Sequence, residues 1–123
     1  MNYVWIALGA VAGAIARYAL SGYITRQLSP IFPYGTLIVN ASGSLLLGFF
    51  LILASERILL DPRWRMLVAI GFCGSYTTFS SYAFETFATL ESGQWVEMAL
   101  NVVANNTLCL AAVAMGAAIA RGL

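Results

Sequence analysis

Four long apolar stretches, separated by short polar links, occupy almost the whole chain. They cover about residues 3–20, 36–54, 65–90 and 96–120, and a helix that crosses a bilayer needs roughly 20 mostly apolar residues. All three prolines, Pro30, Pro33 and Pro62, lie in the links, where residues that interrupt helices are tolerated. The pattern predicts an all-α chain of four transmembrane helices that form a single domain over residues 1–123.

The composition excludes a water-soluble protein. The chain is 61% hydrophobic and only 9% charged, whereas a soluble domain carries about 25% charged residues. Such an inventory cannot cover a water-facing surface. We therefore expect an integral, multi-pass membrane protein surrounded by the lipid bilayer.

The residues that the chain lacks also narrow its function. It has no histidine, and its two cysteines, Cys73 and Cys109, fall in different predicted spans. Zinc sites and histidine-based acid–base catalysis are thereby excluded, and a disulfide framework is not implied. No GxxxxGK phosphate-binding motif is present. We expect a protein that is not an enzyme and that binds neither nucleotides nor nucleic acid.

Asparagines lie inside two of the predicted spans. Asn40 is in the second span, and Asn101, Asn105 and Cys109 follow one another at i, i+4 spacing in the fourth. This spacing places the three residues on one helical face. Polar groups in hydrocarbon need partners or a water-filled cavity, so the row is either a set of interhelical hydrogen bonds or a polar pathway. Two asparagines in succession favour the pathway.

Two charged residues are also embedded in predicted spans. Glu85 lies near the exit of the third span and Arg17 near the end of the first. Glu85 fits either a hydrogen-bonded structural carboxyl or a proton carrier, and Arg17 fits either an anchor or an attractor of anions. For each of the two residues, the sequence does not decide between the two interpretations.

The third span contains an unusual stretch, GFCGSYTTFSSYAFETF, at residues 71–87. Glycine permits unusual backbone angles, and serine and threonine compete with the helix for backbone partners. We therefore predict that this helix is broken near its middle. The carbonyls freed by a break can coordinate a cation, and the half-helix ends carry partial charges.

An aromatic pair follows the predicted break. Phe79 and Tyr82 are three residues apart and share a helical face. The edges of aromatic rings are electropositive, so rings presented edge-on can replace part of an anion's hydration shell. Simple aromatic packing is the alternative interpretation.

These residues resemble the Fluc family of fluoride channels, small bacterial proteins that export fluoride. The resemblance covers the whole chain and rests on GAIARY, GTLIVN, GFCGSYTTFSS and the polar row of the fourth span, in that order. It implies an antiparallel, dual-topology homodimer in the bacterial inner membrane, with two narrow fluoride pores. It also implies a structural sodium ion at the dimer centre.

Matching the family's motifs assigns functions to individual residues. The main-chain carbonyls of Gly74 and Thr77 would hold the sodium ion. The fluoride pathway would comprise Asn40, Phe79, Ser81, Tyr82, Asn101, Asn105 and Cys109. Two features depart from the family's usual pattern. Tyr82 replaces the second phenylalanine, and the polar row carries Asn and Cys where small hydroxyls or tyrosine are common, with Val113 at its last hydroxyl position.

The predicted function is passive, fluoride-selective conduction that lowers the fluoride concentration of the cytoplasm. Two alternatives from other classes stay open on the sequence alone. One is a small proton-coupled antiporter with Glu85 as its proton carrier, and the other is a non-transporting membrane subunit of a larger complex.

Overall fold

The computed structural model describes residues 1–123, and every regular element in it is helical. Three helices are long and apolar enough to cross a membrane: Asn2–Gln27, Tyr34–Arg57 and Trp95–Gly122. This confirms an all-helical chain with several segments capable of spanning a membrane.

The elements, in chain order, are α1 (Asn2–Gln27), α2 (Tyr34–Ile52), a first π-helix (Leu53–Arg57), α3 (Pro62–Trp64), a second π-helix (Arg65–Cys73), α4 (Gly74–Tyr76), α5 (Phe79–Glu91) and α6 (Trp95–Gly122).

The region predicted as the third span consists of several pieces. The second π-helix leads directly into α4, which ends at Tyr76, and α5 begins at Phe79. Thr77 and Thr78 lie between them in extended conformations. The interruption therefore falls three residues after Gly74, at the pair of threonines, and Gly74 itself keeps helical backbone angles.

Side chains near the links define where the helices begin. Asp61 accepts a hydrogen bond from the Arg63 backbone N–H at 2.9 Å and caps α3, whose first residue is proline. Thr78 caps α5 in the same way by accepting from the Ser81 N–H at 3.2 Å. Gly93, with a φ of 78°, forms the turn between α5 and α6, a backbone conformation that glycine adopts at no steric cost.

Helices α2 and α6 pack so closely that their backbones almost touch. A methyl group added at Gly48 would collide with the backbone of Val113, and one added at Gly116 would collide with the carbonyl of Leu45. Small residues permit such close approach between helices in lipid. This contact brings the polar residues of α2 and α6 into register.

Helix α1 packs in the same manner against the second π-helix. Gly9 and Gly13 lie against the backbone of Leu67 and Phe72. These two glycines, four residues apart, therefore form a helix contact within the chain.

An ion pair joins the first π-helix to the end of α6. Arg121 donates two hydrogen bonds to the Glu56 carboxylate, from Nε to Oε2 and from Nη2 to Oε1, each at 2.9 Å. This fork geometry is the strong form of the arginine–carboxylate contact. The pair aligns the last turn of α6 with the first π-helix.

We predict that Gly116→Ala destabilises the protein, because the added methyl group has no space beside α2. Overpacking of this kind costs about 1–3 kcal/mol, which would appear as a lower midpoint of thermal unfolding in detergent. Gly22→Ala in α1 is the matched control, since its methyl group meets only the flexible end of Arg26, at 3.5 Å. A Gly116→Ala midpoint equal to that of the control would contradict the close packing of α2 and α6.

Candidate functional site

The centre of the candidate site is the backbone of Thr78, at the break between α4 and α5. Its N–H donates to Asn40 Oδ1 at 2.7 Å, and its carbonyl accepts from Asn40 Nδ2 at 3.0 Å. The asparagine carboxamide thus pairs with the donor and the acceptor of one residue. Thr78 is buried, and buried backbone groups without partners are costly, so this pairing stabilises the interruption.

The break also leaves backbone carbonyls without their helical donors. In a continuous helix the Gly74 carbonyl would accept from the Thr78 N–H, but that group donates to Asn40. The Thr77 carbonyl would accept from the Ser81 N–H, but that group donates to Thr78 Oγ1. Neither carbonyl accepts another hydrogen bond from the chain. The two carbonyls that the family resemblance assigns to a cation are therefore free of intramolecular partners.

The asparagines predicted from the sequence form one hydrogen-bonded chain across the helices. Asn40 Nδ2 donates to Asn105 Oδ1 at 3.2 Å, and Asn105 Nδ2 donates to Asn101 Oδ1 at 2.7 Å. Asn101 Nδ2 donates in turn to Thr86 Oγ1 at 2.9 Å. Asn101 and Asn105 are 0% and 5% exposed. The polar row of α6 thus contacts α2 and α5, and both amide hydrogens of Asn40 have acceptors within the chain.

The aromatic pair stands beside this network. The ring centroids of Phe79 and Tyr82 are 5.4 Å apart with an interplanar angle of 61°, an edge-on arrangement. Phe79 is 78% exposed in the isolated chain, whereas Tyr82 is 9% exposed. The Tyr82 hydroxyl accepts a hydrogen bond from Asn106 Nδ2 at 3.3 Å.

These groups surround a cavity of about 340 Å³ at the break. The structure brings six of the sequence-predicted residues to its wall: Asn40, Thr77, Phe79, Tyr82, Asn105 and Cys109. Gly74, Ser81, Asn101, Arg17 and Glu85 are not part of that wall. Cys109 is a free thiol, as is Cys73.

The remaining predicted residues have varied surroundings. Ser81 Oγ, in the first turn of α5, accepts from Thr78 Oγ1 at 3.2 Å. Glu85 Oε1 accepts from Thr36 Oγ1 at 2.8 Å, while Glu85 Oε2 is buried without a partner. Arg17 is half-buried in α1 and forms no ion pair within the chain.

Sequence reasoning missed several residues of the site. Thr78 provides the backbone N–H and C=O that pair with Asn40, Thr86 ends the asparagine chain, and Asn106 contacts Tyr82. Thr36 was missed as the partner of Glu85. Asn106 lies one position off the i, i+4 row, so helical periodicity alone gave no reason to select it. The repeated NN at 105–106 was the one available signal.

The fold and the cavity define a multi-pass membrane protein with a polar site at an interrupted helix. Residues 4–117 match the family described as CrcB-like protein, Camphor Resistance (CrcB). The chain therefore belongs to the CrcB-like family.

Similar proteins cover the chain from end to end. A protein of Koribacter versatilis (strain Ellin345) is 50% identical over 122 residues, which are 99% of this chain and 97% of the relative. One from Sulfurihydrogenibium sp. (strain YO3AOP1) is 46% identical over 99% of this chain and 98% of its own. One from Roseiflexus sp. (strain RS-1) is 45% identical over 100% and 99%. Each is named fluoride-specific ion channel FluC, which confirms the family resemblance drawn from the motifs.

We predict that Asn40→Ala destabilises the protein, because it leaves both backbone groups of Thr78 without partners. Each buried polar group left unsatisfied costs about 1–3 kcal/mol, so the midpoint of thermal unfolding in detergent should fall. Ser44→Ala is the matched control, since Ser44 lies one turn further along α2, borders the same cavity and makes no hydrogen bond to the break. Equal midpoints for the two variants would show that the Asn40–Thr78 pairing does not hold the break.

Proposed function

We propose that the protein is a fluoride-selective channel that exports fluoride passively and so lowers its concentration in the cytoplasm. The observation that carries this proposal is the set of full-length relatives, 45–50% identical, that are named fluoride-specific ion channels. The cavity of about 340 Å³, with edge-on rings and polar side chains, supports it. By the same family argument, we place the protein in the bacterial inner membrane.

Fluoride is small and strongly hydrated, so a conducting path must replace its water with closely spaced donors and still release the ion. We assign this path to Asn40, Phe79, Ser81, Tyr82, Asn101, Asn105 and Cys109. Ser81 accepts from Thr78, which leaves its own hydroxyl hydrogen to donate to an anion. The Phe79 and Tyr82 rings would offer electropositive edges.

Asn40 would contribute by exchanging one acceptor for another. Its Nδ2 donates to Thr78 O at 3.0 Å and to Asn105 Oδ1 at 3.2 Å. An anion in the cavity would take the place of the Asn105 oxygen, the more distant acceptor. The hydrogen bond to Thr78 would persist, so the break would keep its shape while the ion passes.

The segment from the second π-helix through α5 forms, in our proposal, a fourth membrane crossing that is broken at Thr77 and Thr78. Its length and apolar character support this, since residues 65–90 were among the four apolar stretches of the sequence. Non-helical backbone at membrane depth is tolerated where it is buried in protein or lines a cavity. The Asn40 pairing and the adjacent cavity meet that condition.

We further propose an antiparallel, dual-topology homodimer assembled across the break. Gly74 is exposed in the isolated chain, and its carbonyl accepts no hydrogen bond from it. Phe79, beside the break, is 78% exposed. A polar backbone group in hydrocarbon needs a partner, and a second copy of the chain would cover this surface.

A structural sodium ion at the dimer centre completes the proposal. The donor set fits an alkali ion, because the Gly74 and Thr77 carbonyls are hard oxygen ligands without intramolecular partners. A sodium ion bound there would supply positive charge that favours an anion nearby. The chain's own contribution is to hold the break open through Asn40.

Reconstituted protein is the direct test of the channel. Purified protein in liposomes loaded with potassium fluoride should release fluoride once a potassium ionophore removes the electrical barrier, and chloride release should be far slower. Protein-free liposomes serve as the control. Absent fluoride release, or equal release of chloride, would show that the proposed function is wrong and would favour a non-transporting subunit.

We predict that Glu85→Gln leaves most of the fluoride flux intact, because a passive channel needs no proton carrier at this position. The glutamine side chain still accepts from Thr36 through its carbonyl oxygen, so the contact at 2.8 Å is preserved. The measurement is fluoride efflux with and without a proton ionophore. Flux that disappears in the variant, or that depends on a pH gradient, would support the antiporter.

Removing sodium should weaken the assembly. In buffer with a large organic cation in place of sodium, we expect the dimer to dissociate or unfold at lower temperature, as measured by light scattering and thermal unfolding in detergent. Gly74→Leu should have the same effect in sodium, since a bulky side chain would occupy the exposed surface at the break. Gly22→Ala is the control. A dimer that dissociates and unfolds at the same temperature with and without sodium would contradict the ion site.

A further inference from the structure

The Tyr82 hydroxyl makes a hydrogen bond that a phenylalanine at this position could not make. Its oxygen accepts a hydrogen bond from Asn106 Nδ2 at 3.3 Å. A phenol has one O–H donor as well as acceptor capacity, and the hydroxyl hydrogen of Tyr82 has no acceptor in the chain. The hydroxyl therefore keeps its donor available.

Both hydrogens of the Asn106 side-chain amide hold this residue in place. Nδ2 donates to Val102 O at 2.8 Å on its own helix, one turn earlier, and to the Tyr82 hydroxyl. Both hydrogens of the amide are thus engaged. Since Asn106 can only donate through this nitrogen, it directs the lone pair of Tyr82 toward itself and the O–H away.

Both residues border the cavity at the break, together with Phe79, Asn40 and Asn105. Tyr82 presents its ring to Phe79 in the edge-on arrangement. An ion between these groups would lie within reach of a ring edge and of the phenol.

We infer that Tyr82 donates a hydrogen bond through its hydroxyl to the fluoride ion in this cavity, and that Asn106 is the positioning residue that orients this hydroxyl. The inference rests on the proposed function. It states that the fluoride ion contacts an O–H donor in addition to the ring edge. A hydrogen bond that is accepted by a hydroxyl strengthens the one it donates, and hydrogen bonds to ions are shorter and stronger than neutral ones. A compact anion gains more from such a donor than a larger one, so the pair contributes to the preference for fluoride over chloride.

A double-mutant cycle in liposomes tests the inference. Fluoride and chloride efflux are measured for the wild type, Tyr82→Phe, Asn106→Leu and the double variant. Tyr82→Phe should lower the fluoride-to-chloride ratio about ten-fold, the usual worth of a hydrogen bond to a charged group. Asn106→Leu should lower it in the same direction, and the double variant should be no worse than Tyr82→Phe.

Thr107→Val is the matched control. Thr107 is the next residue on α6, is exposed and donates only to Val103 O at 2.7 Å, so the ratio should stay at the wild-type value. If Asn106→Leu does not purify as folded protein, Asn106→Ser replaces it, because a serine at this position is too short to reach Tyr82. The same loss of selectivity is expected.

The outcomes separate this inference from the proposed function. A wild type without fluoride efflux would refute both. Suppose instead that the wild type conducts fluoride but Asn106→Leu has the same ratio of fluoride to chloride efflux. That result, or independent effects of the two substitutions, would overturn the inference without contradicting the channel. The expected result is that Asn106→Leu lowers the ratio of fluoride to chloride efflux only when the Tyr82 hydroxyl is present.

Discussion

Two hydrogen bonds join the Asn40 carboxamide to the backbone N–H and C=O of Thr78, and the geometry of the candidate site follows from them. A carboxamide has the same donor and acceptor as a peptide group, so one side chain satisfies both backbone groups of Thr78, at 3.0 and 2.7 Å. Because the Thr78 N–H is engaged, the Gly74 carbonyl has no helical donor. The interruption and the free Gly74 carbonyl therefore have a common origin. The free Thr77 carbonyl and the start of α5 follow instead from the Thr78 hydroxyl, which accepts from the Ser81 N–H.

This pairing requires close helix packing. Glycines at positions 48 and 116 allow the backbones of α2 and α6 to approach until no added methyl group would fit. At that separation Asn40 reaches the break and also Asn105 on α6. Van der Waals contact between small residues, which in lipid replaces the hydrophobic effect as the force between helices, thus sets the distances of the polar network.

The network also determines which hydrogens are available to an anion. The amide hydrogens of Asn40 and of Asn105 already have acceptors within the chain. The hydroxyls of Ser81 and Tyr82 instead accept hydrogen bonds and keep their own hydrogens. In the proposed path, these hydroxyls and the ring edges would act beside the Asn40 amide, which exchanges its Asn105 acceptor for the anion. Weakly held, exchangeable donors suit an ion that must enter and leave.

Patterns along the sequence predicted a large part of the helical fold and several residues of the candidate site. Apolar length and proline placement indicated the helical membrane class, the glycines and hydroxyls of residues 71–81 indicated an interruption, and i, i+4 and i, i+3 spacing placed Asn101 with Asn105 and Phe79 with Tyr82. These features depend on neighbours along one helix, so the order of the residues is enough to predict them. Three other features are visible only in the folded chain: Gly9 and Gly13 face the second π-helix, the break falls at Thr77 and Thr78, and Asn106 reaches Tyr82. Each of these is a contact between different elements, and a hydrogen bond a few ångströms long is set by how the helices pack, which no spacing along a single chain encodes.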